Sequence, residues 1–252
     1  ERRVSEIQSL ARGLKLMELL AASPDDVGVT ELANEMGIDK SSVSRLVQTL
    51  ATYGYAEQDP VSRRYRLGPQ IVRLSRSLLT RMPLRDEAKP FLRDLVNRTG
   101  ECAHIAILSQ GKALYIDQVE SPASLRVTTG VGTLAPLHCT ALGKCLLAFD
   151  PAAALPEEMR AFTPRTITDA ETLRRHLEQV RQQGYAVDDE EYDFGVRCVA
   201  APIVDYRGKT VGAIGISGPA GRVTLESIAG FADIVKQAGR GLSDRLSFNH
   251  RS

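Results

Sequence analysis

The chain has 252 residues, of which 43% are hydrophobic and 25% are charged, and its net charge is +1. This composition is that of an ordinary globular protein with one large or two smaller domains. The four scattered cysteines favour reduced thiols over a disulfide framework, and no apolar run reaches the roughly 18 residues of a membrane span, so we expect a cytoplasmic protein without a membrane partner.

Charge is unevenly distributed along the chain. Residues 1–39 carry four Lys or Arg against eight Asp or Glu, whereas residues 40–81 carry eight against two. A local basic block is typical of a surface that binds a polyanion, although a solvated charged face explains the charge alone equally well.

Two helices are predicted before this basic block. An apolar stripe predicts a helix over residues 5–22, and Ser23-Pro24 ends it because proline disfavours a helical conformation at the residue before it. Thr30 is the predicted N-cap of a short helix over residues 31–36, which Gly37 ends.

A third helix is predicted through about Thr52, capped by Asp39 or Ser41. The apolar residues are spaced i, i+3, i+4 and i+7 and define one face, namely Val43, Leu46, Val47 and Leu50. The other face has short hydroxyls, an amide and two cations, with no acidic residue after Asp39.

A short helix, a turn with glycine and a second helix have the spacing of a helix-turn-helix, whose second helix enters the DNA major groove. Ser41, Ser42 and Gln48 can then hydrogen-bond base edges or phosphates. Arg45 can make two hydrogen bonds to guanine O6 and N7, and Lys40 can neutralise a phosphate. An αα-hairpin of an unrelated bundle is the alternative.

A basic hairpin is predicted next. Residues 55–58 and 64–67 are short strand-like runs around the turn residues 59–63. The hairpin carries three arginines, Arg63, Arg64 and Arg66. Such a hairpin after a recognition helix is typical of a wing that contacts phosphate or the minor groove.

Residues 7–80 resemble the winged helix-turn-helix of the IclR family of bacterial transcription regulators. The matching pieces are SLARGLKLMELLA, ELANEMGIDKSSVSRLVQTLATYGYAEQD and YRLGPQIVRL. The resemblance implies a DNA-binding domain over residues 1–67 and a linker helix over residues 68–82.

The remaining residues, 83–252, alternate between helix and strand patterns. Helices are predicted over residues 84–98, 170–183 and 226–246, and strands over residues 103–108, 113–119, 125–129, 196–204 and 210–217. Two strand groups with helices around them predict an α+β domain with an antiparallel sheet.

This second region resembles the GAF-like effector-binding domain of the same family. The matching motifs are PLHCTALGKCLLA, DDEEYDFGVRCVAAPIVD and GAIGISGPAGR. The resemblance therefore implies a ligand-responsive repressor or activator that binds a palindromic double-stranded DNA operator as a homodimer or homotetramer and senses a small organic acid.

An enzyme, a small-molecule hydrolase or transferase with a winged-helix appendage, is the main alternative. Gly130 and Gly132 lack the third glycine of a dinucleotide fingerprint, and Gly143-Lys144 lacks the rest of a P-loop. Ser217 lies in GISGP, which is not a nucleophile elbow, and no nucleophile–base pair is evident. We therefore expect no catalytic residue and no cofactor. A DNA-binding module without a ligand is a third possibility.

The histidines and cysteines could in principle gather around zinc, namely His104, His138, Cys139, Cys145 and Cys198. No pair has the usual ligand spacing, and we expect no metal.

A helix predicted over residues 140–148 begins with small residues. Free N–H groups at a helix start attract a carboxylate, although a tightly packed helix start is the alternative. The resemblance implies that Ala141 and Leu142 offer these groups and that Asp188 accepts a hydrogen bond from a hydroxyl.

The resemblance also implies an opposite wall of the effector pocket formed by Val196, Cys198, Gly215 and Ser217. Gly215 departs from the serine that some members carry there, which predicts room for a larger ligand. In the acidic run 188–191, the residues after Asp188 are interpreted as a solvated turn.

Overall fold

The computed structural model describes residues 6–127 and 130–249. The chain divides into two compact units between Met82 and Pro83. The predicted fold class is confirmed, since the first unit contains a winged helix-turn-helix and the second contains helices around an antiparallel sheet.

The first unit combines helices with a small antiparallel hairpin. Its described elements are α1 (Gln8–Ala22), α2 (Val29–Met36), α3 (Lys40–Thr52), β1 (Ala56–Gln58), β2 (Tyr65–Leu67) and α4 (Gln70–Leu79). Their apolar faces form one core that includes Leu16, Leu32, Val43 and Val47. Val27 and Tyr65 exchange two backbone hydrogen bonds of 2.8 Å, which join the hairpin to the chain before α2.

Local signals set the helix-turn-helix boundaries. Gly37 adopts a left-handed conformation with φ 63° and ends α2. The Asp39 carboxylate caps α3 by accepting hydrogen bonds from the Ser42 N–H at 2.9 Å and the Ser41 hydroxyl at 2.6 Å. The Thr30 cap is wrong, because α2 begins at Val29, after Gly28.

The second unit is a six-stranded antiparallel sheet with four described helices. These elements are α5 (Pro83–Thr99), β3 (Cys102–Ser109), β4 (Lys112–Val119), β5 (Leu134–Ala135), α6 (Ala141–Phe149), α7 (Ala170–Gln183), β6 (Ala186–Asp189), β7 (Val196–Val204), β8 (Thr210–Pro219) and α8 (Ile228–Asn249). The strand order is β5-β4-β3-β8-β7-β6, so β3 and β8 lie at the centre of the sheet.

Helix α6 is buried on every side, from Ala141 to Ala148, and packs in an apolar core of this unit. A Cβ at Gly143 would lie 2.6 Å from the Cα of Leu137, so only glycine allows this approach at the helix start.

Two strand predictions differ from the structure. The strand predicted over residues 125–129 is wrong for residues 125–127, which are not in a strand. Its remaining residues, Thr128 and Thr129, lie outside the described residues. Strand β6 was missed because its two aspartates are poor strand formers, and pairing with β7 overrides that preference.

Candidate functional site

The exposed face of α3 carries the residues predicted to read DNA. Lys40, Ser41, Arg45 and Gln48 are exposed and Ser42 is half-buried. Within the described residues, the side chains of Lys40 and Arg45 make no hydrogen bond or ion pair. Both cations are therefore available to a ligand outside the chain.

The wing arginines differ from one another. Arg63 lies exposed at the hairpin tip with φ 60°, and its guanidinium contacts no partner in the described part of the chain. Arg64 instead donates to the backbone oxygen of Asp26 at 2.6 Å and to the Glu31 carboxylate at 2.7 Å. Arg64 thus ties the wing to the start of α2.

Arg66 is also paired within the unit. Its guanidinium lies 3.2 Å from the carboxylate of Glu57, the directly opposite residue of β1, and 3.7 Å from that of Asp26. The sequence predicts DNA contact for all three wing arginines, whereas only Arg63 lacks a partner among these three described arginines.

A cavity of about 50 Å³ lies in the second unit, between the sheet and the start of α6. It is lined by all seven residues predicted for the effector pocket, namely Ala141, Leu142, Asp188, Val196, Cys198, Gly215 and Ser217. It is also lined by residues that the sequence did not single out, including His104, Tyr115, Thr140 and Tyr192.

The start of α6 presents free donors to this cavity. The Thr140 hydroxyl oxygen accepts from the Gly143 N–H at 3.1 Å, and the Thr140 carbonyl accepts from the Lys144 N–H at 2.8 Å. In the described residues, no acceptor takes up the N–H of Ala141 or Leu142, and both residues are buried. A buried unsatisfied donor pair of this kind favours an anionic ligand.

Asp188 is the buried carboxyl group of the cavity, with 2% of the residue exposed. Its Oδ1 accepts hydrogen bonds from the backbone N–H groups of Glu191 at 2.8 Å and Tyr192 at 3.4 Å. Burial raises the pKa of Asp188 to about 7, although Lys144 and these hydrogen bonds oppose the rise.

Lys144 and Glu191 form a buried ion pair beside the cavity. Lys144 is fully buried and donates from Nζ to Oε1 of Glu191, and burial raises the pKa of the Glu191 carboxyl against the effect of Lys144. Sequence reasoning missed this pair, although a single lysine inside the apolar run ALGKCLLA was a signal.

The solvated-turn interpretation of the acidic run is therefore wrong. Besides Glu191, Asp189 and Glu190 are engaged by Arg197, whose guanidinium lies 2.7 Å from Oδ1 of Asp189 and 3.3 Å from Oε1 of Glu190. These pairs hold the segment that carries Asp188.

His104 and Ser217 form a hydrogen bond in the cavity wall, with Nε2 and Oγ 2.6 Å apart. Burial lowers the pKa of His104 to about 4, which keeps the ring neutral. A hydroxyl–imidazole pair was not evident from the sequence because its members lie 113 residues apart. The residue opposite His104 on β4 is the amide residue Gln118 rather than a carboxylate, so the arrangement differs from a catalytic triad.

Gly215 does not enlarge the cavity. A Cβ at this position would lie 2.4 Å from the backbone oxygen of Val199 and 2.9 Å from the Cα of Ala200 on β7. The expectation of room for a larger ligand is therefore wrong, because the neighbouring strand fills that space.

No group of three or more His, Cys, Asp or Glu side chains among the described residues could hold a metal ion. None of their helices is both long and apolar enough to cross a membrane.

Two family models match the chain, the IclR helix-turn-helix domain over residues 9–60 and the bacterial transcriptional regulator IclR C-terminal domain over residues 76–244. The chain belongs to the IclR family. The resemblance inferred from the sequence is thereby confirmed. The family consists of transcriptional regulators, so the enzyme alternative is set aside.

The chain matches known IclR regulators over nearly the whole length of both proteins. The HTH-type transcriptional regulator XynR of Escherichia coli is 34% identical over 96% of this chain and 98% of its own. The transcriptional repressor IclR of Escherichia coli is 34% identical over 93% and 88%. A solved IclR regulator from Alicyclobacillus acidocaldarius matches with a TM-score of 0.83 and 28% identity over 95% and 98%. DNA binding by the first unit and effector binding by the second follow from this membership.

Proposed function

We propose that the chain is a cytoplasmic regulator that binds a palindromic operator as a dimer or dimer of dimers and senses a small organic acid. The observation that carries the proposal is the cavity at α6, where two unsatisfied N–H groups and the buried Asp188 converge. We assign residues 1–67 to DNA binding, 68–82 to the linker and 83–252 to effector binding.

The proposed DNA-reading residues lie on α3 and the wing. Arg45 reads a base edge, Lys40 contacts phosphate, and the serines Ser41 and Ser42 with Gln48 bond bases or backbone. In the wing, we assign phosphate contact to Arg63, whose guanidinium has no partner in the described chain. Arg64 and Arg66 add positive charge but are held by Glu31 and Glu57.

Self-association is supported by exposed apolar side chains on the first unit. Leu10 and Leu14 of α1 and Leu74 and Leu78 of α4 are all exposed. A groove between these helices and α3 is lined by Leu10, Leu14, Met17, Leu46, Leu50 and Leu74. An apolar surface of this kind favours contact with a second copy, and a two-fold dimer requires a palindromic operator.

In the proposed ligand complex, the carboxylate accepts hydrogen bonds from Ala141 and Leu142. Asp188 bonds a polar group of the ligand, and Val196, Cys198, Gly215 and Ser217 form the other wall. The acid changes DNA affinity only to the extent that it binds more tightly to one arrangement of the DNA-binding units than to another. The linker transmits this preference from the cavity to those units.

A thermal-shift screen of the purified protein against short carboxylic acids tests the ligand class. An acid present at about 100 times its Kd stabilises the protein by ~2.7 kcal/mol, a shift of a few degrees. We expect a hit among the acids and none among the matching primary amides. Equal shifts from an acid and its amide would contradict carboxylate binding at α6.

A further inference from the structure

His104 occupies the centre of the sheet, where its hydrogen-bonding choices are few. It lies on β3 opposite Gly215 of β8 and Gln118 of β4, and it is 3% exposed. The edge of one ring meets the face of the other in its contact with Tyr115, whose centroid is 5.6 Å away. The ring is therefore held in place by both neighbouring strands.

The position of the imidazole proton follows from the unsatisfied atoms around it. Nδ1 of His104 and Oε1 of Gln118 are both buried, and no other group in the described chain satisfies either atom. Because the two residues are directly opposite, an Nδ1–H directed at the Gln118 oxygen satisfies both atoms. Nε2 then carries a lone pair and accepts.

This tautomer determines what Ser217 offers to the cavity. A serine hydroxyl has one proton and two lone pairs, and the Ser217 hydroxyl donates its proton in a 2.6 Å hydrogen bond to Nε2 of His104. The burial that lowers the pKa of His104 to about 4 keeps Nε2 an acceptor at neutral pH. Ser217 therefore meets a ligand through oxygen lone pairs.

We propose that His104 is a specificity-determining residue, which makes Ser217 a hydrogen-bond acceptor and selects a short-chain hydroxy acid over the matching keto acid. The inference rests on the proposed function, because it presupposes a carboxylate at α6. A ligand hydroxyl donates to Ser217, whereas a keto oxygen places lone pairs against lone pairs.

The volume of the cavity limits the size of the ligand. One water needs roughly 10–15 Å³ in a cavity, so the volume of about 50 Å³ corresponds to a handful of waters. A hydroxy acid with about six non-hydrogen atoms, such as lactate, fits this space better than a sugar acid.

Calorimetric binding of lactate, pyruvate and propionate tests the inference. These acids share a carboxylate and differ at the second carbon. We expect the wild-type protein to bind lactate about tenfold more tightly than either of the others. In His104→Phe the acceptor is lost and the Ser217 proton is free, so the preference for lactate over pyruvate should fall to within about threefold.

Two further variants separate this role from a structural one. His104→Gln retains an acceptor oxygen and should keep the preference for lactate over pyruvate. Ser217→Ala should lose this preference, and this test does not depend on the folding of His104→Phe. Lactate and pyruvate of equal affinity in the wild type, or a preference that survives in Ser217→Ala, would overturn the inference alone. If none of the three acids binds the wild-type protein, both this inference and the proposed sensing of an organic acid are overturned.

Discussion

Lys144 of α6 and Glu191, two residues after β6, form an ion pair inside the effector-binding unit. The side chain of Lys144 is fully buried and that of Glu191 is 7% exposed. The pair joins the helix that supplies the N–H groups of the cavity to the segment that positions Asp188. Removing one partner leaves the other as a buried charge without compensation.

We therefore predict that Lys144→Met lowers the free energy of unfolding by about 3–5 kcal/mol. Denaturant unfolding of the second unit measures the loss. Lys89→Met is the matched control, because Lys89 pairs with Asp86 on the surface of α5, where an ion pair contributes less than about 1 kcal/mol. Equal losses in the two variants would contradict the burial of the Lys144 pair.

Asp188 should make stability depend on pH. Burial raises its folded-state pKa from 3.8 to about 7, so between these values the folded state holds a proton that the unfolded state has released. The contribution of Asp188 therefore becomes less favourable as pH rises through this range, by at most about 1.4 kcal/mol per pH unit. Asp188→Asn removes the effect.

We expect the stability of Asp188→Asn relative to wild type to increase steadily from pH 4 to pH 7 and then to level off. Chemical denaturation at each pH measures this difference. A difference that is constant across the range would show that the carboxyl is ionised throughout.

Arg45→Ala should reduce sequence discrimination. A two-pronged contact with guanine distinguishes that base from the others. The variant should therefore lose about 1–3 kcal/mol of binding free energy on its preferred duplex and less on random DNA. Lys40→Ala is the control on the same helix and should weaken both duplexes alike. Fluorescence anisotropy gives the affinities, and an equal loss on both duplexes for Arg45→Ala would remove its base-reading role.

Neighbouring arginines of the wing should behave differently. Arg63→Ala should lower DNA affinity and reduce the slope of log K against log salt by about one, with unchanged stability. Arg64→Ala should destabilise the first unit by about 1 kcal/mol, because it loses the bonds to Asp26 and Glu31. Salt titrations and thermal melts measure the two effects. The reverse pattern would contradict the assignment.

Local sequence signals predicted the features that local chemistry determines. Helix α7 was predicted from residue 170 to 183 and spans Ala170–Gln183, since Asp169 caps its start and the left-handed Gly184 ends it. Asp39 and Gly37 similarly define the helix-turn-helix.

Contacts between residues far apart in the chain could not be predicted from the sequence. The pairing of His104 with Ser217 depends on the register of β3 and β8, and the packing at Gly215 depends on the approach of β7. The burial of Lys144 depends on Glu191, 47 residues away. Periodicity reports which face of an element is apolar, but it does not report which element covers that face.

An acid in the α6 cavity should change sequence-specific DNA binding. The most direct test is the affinity of the full chain for a duplex that it selects from a random library, measured with and without the acid found by thermal shift. We predict a two-fold symmetric selected site and a change in affinity of about fivefold or more on adding the acid, reduced in Asp188→Ala. An acid that binds tightly and leaves the DNA affinity unchanged would contradict the account.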